Sequence, residues 1–193
     1  MATYYFHVSR NNTLRAGQVI KLSHDKAALQ SFHTDRAAFL TERFPDGVTQ
    51  HGWEYLLNDQ RSAPNKDEQG LLEIVAELIR REKYPYRPSR FQSFFAWRSL
   101  SDALRFAQDF ALRSVAGSPM QGALWQVEAE EALFESDMNL LRFGTCWLDI
   151  MIFMDRYWRQ EYLPNPLIEV LLSPPITIVK QIQTSSVAGP GFL

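Results

Sequence analysis

The sequence predicts an α+β fold. Runs with strand character fall in two groups, one near the start and one near the end, with helical patterns between and around them. The chain's 193 residues suffice to bury a core without a metal or disulfide staple. A make-up of 46% hydrophobic and 22% charged residues is that of a globular chain and excludes a disordered or collagen-like one.

Tyr4 to Val8 is a short β-rich run, and the polar SRNNTL after it suits a turn. Gly17 to Leu22 reads as a second short strand. Ser23 can cap a helix starting near Asp25, its apolar face drawn from Ala28, Leu29, Phe32, Ala37, Ala38 and Leu40. Pro45-Asp46-Gly47 ends that helix. Gly52 to Leu57 reads as a short helix and Asp59 to Gly70 as a polar loop. From Leu71 to Lys83, residues Leu71, Ile74, Val75, Leu78 and Ile79 recur at helical spacing. Pro85 and Pro88 then favour extended backbone. Phe91 to Trp97 reads as a strand, and Asp102 to Arg113 as a helix capped by Ser99 or Ser101. Gly122 to Glu128 is a strand. Cys146 to Arg159 is a helix whose most apolar part, Cys146 to Met154, reads as buried. Leu167 to Leu172 and Ile176 to Ile182 are strands joined by Ser173-Pro174-Pro175, and Ser185 to Leu193 is a mobile tail on one domain spanning 1–184.

Composition excludes several functions. A formal charge of −2 excludes nucleic-acid binding by bulk positive charge, though not by a local patch. One cysteine, Cys146, excludes an internal disulfide and argues against a cysteine-based zinc site. His7, His24, His33 and His51 lack metal-ligand spacing, so no metal is expected. No start resembles a signal peptide and no apolar run is long enough to cross a bilayer, so a cytoplasmic protein without membrane contact is expected. No GxGxxG follows a strand and there is no GxxxxGK[ST].

Four segments can carry chemistry. His7, in YYFHVSR, is either a hydrogen-bonded core residue or a ligand contact. Arg80 to Arg98 sets six cations (Arg80, Arg81, Lys83, Arg87, Arg90 and Arg98) against one acid, Glu82, with Tyr84, Tyr86, Phe91, Phe94, Phe95 and Trp97 interleaved. Such a mixture can track phosphates and stack on bases, or it can be a solvated helix end followed by a core strand. Arg87, Arg90 and Trp97 are its candidate acceptor contacts. Glu169 lies within the apolar LIEVLLSPP, either as a carboxylate fixed in a cleft or on an edge strand pointing to water. In EAEEALFESD most acids are expected to face solvent or to cap backbone groups, and Asp137 is either a turn residue or a ribose ligand.

Together these pieces resemble the ADP-ribosyltransferase superfamily. The order is a first strand with His (FHVSRNNTLRAGQVI), an aromatic strand followed by a helix (SRFQSFFAWRSLSDALRFA), and a late strand with Glu (IEVLLSPP). The last is similar to the E-V-L-I-P-P strand of arginine-specific transferases. Phe6 to Ile20, Ser101 to Ala107 and Leu124 to Leu140 resemble the small rifampicin-modifying transferases. The resemblance implies a split β-sheet core with a helical insertion over about 25–88 and NAD as co-substrate. It further implies a toxin or anti-phage effector with an antitoxin or immunity protein as partner, and the basic Arg80 to Arg98 segment together with the missing first Glu makes RNA or single-stranded DNA the expected acceptor. A protein or small-molecule acceptor, or a non-catalytic NAD-like ligand-binding module, is the alternative.

Residue by residue, the resemblance implies that His7 and Ser9 meet the adenosine-side ribose and that the Val8 backbone pairs with the nicotinamide carboxamide. Phe94 or Phe95 would stack on nicotinamide, with Phe106 as a second wall. Glu169 would be the catalytic carboxylate, and Asp137 matches an acid of the antibiotic-modifying branch. Val8 stands where the family has Gly, Phe94 lacks the usual Tyr hydroxyl, and Leu167 replaces the first Glu of arginine-specific enzymes. Cleaving the nicotinamide–ribose bond builds positive charge on the sugar, which a fixed carboxylate stabilises.

Overall fold

The structure is a computed structural model describing residues 2–9, 13–24, 34–56, 66–113, 123–130 and 132–183. The described residues form an α+β arrangement of two antiparallel sheets and five helices. The first sheet joins β1 (Thr3–Ser9), β4 (Ala123–Ala129), β7 (Ile176–Ile182) and β2 (Val19–Ile20), in the order β1-β4-β7-β2. The second joins β3 (Phe94–Ala96), β6 (Ile168–Leu172) and β5 (Ala132–Asp137), in the order β3-β6-β5. The helices are α1 (Thr34–Arg43), α2 (Gln50–Leu56), α3 (Lys66–Lys83), α4 (Leu100–Arg113) and α5 (Trp147–Trp158).

One core contains Tyr5, Trp125 and Val127 of the first sheet with Phe94, Val170 and Leu172 of the second. A second core lies on the opposite face of the second sheet, where Leu171 and Phe134 pack under Leu72, Ala76 and Ile79 of α3 and Met154, Tyr157 and Trp158 of α5. β6 is therefore buried on both faces, which is why IEVLL reads as a nearly unbroken apolar run. It is the central strand of its sheet, so the expectation of an edge strand with Glu169 in water is corrected.

Other expectations change as well. Acid-rich ALFESD is a strand, β5, paired to β6, rather than a turn of solvated acids; Asp137 at its end caps the following 3-10 turn, as a capping acid was expected to. Phe91 belongs to a 3-10 turn (Arg90–Gln92) that precedes a shorter strand. α3 begins at Lys66, inside the expected loop. Its expected core positions Leu71, Ile74 and Leu78 are 36%, 37% and 61% exposed. The buried stripe instead carries Leu72, Glu73, Ala76, Glu77, Ile79 and Arg80, because charged side chains on this face find buried partners. Ser23 pairs through its backbone with Val48, and the helix start near Asp25 and the tail from Ser185 lie outside the described residues. Ser99 is the residue whose hydroxyl accepts from the Asp102 amide, at 3.0 Å. Among the described residues no helix is long and apolar enough to cross a membrane.

Candidate functional site

The two sheets meet where β1 and Trp97, the residue that follows β3, exchange one pair of backbone bonds. The Phe6 amide donates to the Trp97 carbonyl (2.9 Å), and the Trp97 amide donates to the Phe6 carbonyl (2.8 Å). An antiparallel ladder that continued would next pair Val8 with Phe95. Instead the His7 Nδ1–H donates to the Phe95 carbonyl at 2.7 Å. The imidazole thus takes the acceptor that a further rung would use, and the strands part there. By strand alternation the Val8 backbone N–H and C=O face the same edge as those of Phe6, the edge at which the sheets split. The His7 ring lies on Phe94, with centroids 4.3 Å apart.

Glu169 sits one strand further on. Its register partner on β5 is Ser136, and its side chain shares the face of Leu171, under α3 and α5. It is 3% exposed. Oε1 accepts from the Tyr157 hydroxyl at 2.6 Å and from Arg90 Nη1. Arg90 also donates to Tyr157 (2.6 Å) and, through Nε and Nη2, to both oxygens of Glu73 (2.8 and 3.0 Å). His51 Nε2 lies 3.3 Å from Glu73 Oε2. The network His51–Glu73–Arg90–Glu169–Tyr157 therefore ties α2, α3, the 3-10 turn, β6 and α5 together.

Its electrostatics follow from burial and pairing. Burial pushes the Glu73 carboxyl up, but Arg90 and then His51 outweigh it and hold that group well below the usual carboxylate range. Burial would lower the Arg90 pKa, yet Glu169 and Glu73 together raise it well above its ordinary value. Burial pushes the Tyr157 hydroxyl well up; Arg90 opposes this and Glu169 adds to it.

His7 and Arg90 reach Phe95 from two sides, and Glu169 lies behind Arg90 on the face of β6 that packs under α3 and α5. His7 holds the Phe95 carbonyl, and Arg90, the partner of Glu169, lies over the Phe95 ring at 4.6 Å. Phe94 faces the core between the sheets, whereas Phe95 packs toward α3 and α5. Ser9 is buried on β1, and Phe106 of α4 stacks on buried Trp97 with centroids 4.5 Å apart. Asp137 is fully buried, and its oxygens accept from the backbone amides of Asn139, Leu163 and Leu167 at 2.9–3.0 Å. That places it as the anchor of the turn after β5 and of the chain entering β6.

The basic segment is turned to internal partners. Arg80 and Arg81 donate to Glu77, Lys83 to Asp155, Arg98 to Glu135, and Arg90 to the two carboxylates above. Arg87 donates to Gln160 at 2.7 Å and lies over Phe134. Glu73, His51 and Tyr157 are the network members that sequence reasoning missed. Glu73 and Glu77 recur at i, i+4 within the otherwise apolar stretch from Leu71 to Ile79, which is the signal that would have exposed them. Among the described residues no group of three or more His, Cys, Asp or Glu is placed to hold a metal ion.

The fold and site define an α+β domain whose sheets part at a histidine and whose late-strand carboxylate is buried against a guanidinium. Residues 5–184 match the model of the family described as "Protein of unknown function (DUF2441)", and the chain belongs to that family. A search of curated proteins finds no match.

Proposed function

We propose that the chain is an ADP-ribosyltransferase-type domain that takes NAD at the split between β1 and β3. The observation that carries this reading is the linkage, through Phe95 and Arg90, of the three distant segments that bear the resemblance: His7 on β1 holds the Phe95 carbonyl, Arg90 lies over the Phe95 ring, and Glu169 on β6 accepts from Arg90. The Val8 backbone edge offers a donor and an acceptor, which is what a carboxamide needs. His7 is held by the Phe95 carbonyl in the tautomer with the proton on Nδ1. In this reading Glu169 stabilises positive charge on the ribose once it exchanges Arg90 for the substrate, and Tyr157 keeps the carboxylate oriented. Asp137, held by three amides, positions the β6 entry.

Nucleic acid was the expected acceptor because of Arg80 to Arg98. Those cations are engaged by acids, carbonyls and Gln160, so the geometry favours a protein side chain or a small molecule as acceptor. A toxin or anti-phage role, with its antitoxin or immunity partner, rests on the resemblance alone. A second reading, a module that binds an NAD-like ligand without transfer, is favoured by one observation: Glu169 is buried and already neutralised by Arg90.

Labelled NAD incubated with the protein and, in turn, RNA, single-stranded DNA, cell lysate and small-molecule nucleophiles tests these readings. The expected result is nicotinamide release with label on protein or small molecule. Glu169→Gln should abolish release while melting remains cooperative. NAD binding without release or transfer supports the second reading, and no binding overturns both.

A further inference from the structure

We propose that the outward face of α5 is the contact through which two copies of this chain pair about a two-fold axis. The most apolar stretch of the sequence, Cys146 to Met154, reads as a buried helix, and a helix apolar on all sides is one that something covers. Ile150, Met154, Tyr157 and Trp158 do face the core. Trp147, Leu148, Met151 and Ile152, however, are 72%, 61%, 54% and 45% exposed. They stand at i, i+1, i+4 and i+5, so they share one side of the helix. Together they present on the order of 500 Å² of apolar surface, the upper range for a monomer's largest patch. That is the apolar centre of a standard interface, which takes about 800 Å² from each partner.

The choice of a second copy rests on area, charge and symmetry. Asp149 is the single charged residue between Trp147 and Met154, and it turns back onto the helix start. Its Oδ2 accepts from the Thr145 amide (2.7 Å) and hydroxyl (2.9 Å) and from the Cys146 amide (3.1 Å). Hydrogen bonds from Thr145 lower its pKa, so it stays satisfied in place. The patch therefore carries no charge that would repel an identical patch. A two-fold axis needs only this one surface, and one perpendicular to the helices runs them antiparallel, which sets their macrodipoles in opposition. A helix seated on anionic lipid is rimmed by Lys and Arg; α5 holds one cation, Arg156, which donates to Glu161 at 2.7 Å, against two Asp.

Sedimentation velocity of the full chain up to about 100 µM, a range covering weak to moderate association, tests this. The expected result is a monomer–dimer equilibrium. Met151→Arg and Leu148→Lys, both at exposed positions, should each weaken it at least about tenfold while the circular dichroism spectrum is unchanged. A wild-type chain that stays monomeric throughout overturns the proposal, as does a dimer that both variants leave intact. A monomer that co-floats with anionic or zwitterionic vesicles assigns the face to a membrane and also overturns it.

Discussion

A guanidinium shared between two carboxylates neutralises only one of them, so the rest of the balance must come from hydrogen bonds. Tyr157 supplies one to Glu169, and His51 lies against Glu73. Taking Arg90 away would leave two buried carboxylates uncompensated. Arg90→Ala is therefore expected to cost about 3–5 kcal/mol in chemical denaturation. It would test folding before it tested any acceptor contact. The pH dependence follows from Glu73. Its folded pKa lies below the unfolded value of about 4.3, so its contribution is complete above that pH and fades as pH falls below it. Glu73→Gln should be less stable than the wild type at neutral pH, and the gap should narrow between about pH 5 and pH 3. A constant gap across that range would contradict the assignment.

At the scale of elements, the helix α2 is seated by its closest approach to the chain. A Cβ at Gly52 would stand 2.5 Å from the Phe91 carbonyl oxygen and 2.7 Å from Val48 Cβ. The neighbouring Thr49 amide and hydroxyl both donate to that same carbonyl. Gly52→Ala should consequently lower the melting temperature, equivalent to about 1–3 kcal/mol of overpacking, despite alanine's better helix propensity. Unchanged or raised melting would show that α2 can shift. Element type was largely legible: β1, α4, β6 and β7 follow from periodicity, caps and β-rich runs. The face of α3 was not, because its buried side holds Glu73, Glu77 and Arg80, which a hydrophobic pattern reads as solvent-facing. β5 was hidden for a related reason: Glu135 pairs with Arg98, and Asp137 caps backbone amides, so acids sit within a strand.

Across the whole molecule, His7, the aromatic pair and Glu169 stand on three separate strands that the fold links through Phe95 and Arg90. The sequence does not reveal that linkage. Arg90 looks like part of a basic, solvent-facing run, and only the fold turns it inward to Glu169. Nor does the chain order reveal that His7 itself ends the β1–β3 ladder by taking the Phe95 carbonyl. The account stands on the resulting gap being the place where NAD binds. Titrating NAD into ¹⁵N-labelled protein while following the Val8 amide and the His7 imidazole is the most direct measurement. Saturable shifts at those two groups and at Phe95 are the result expected. Resonances there that stay fixed at millimolar NAD, or that move only at residues remote from the split, would contradict it.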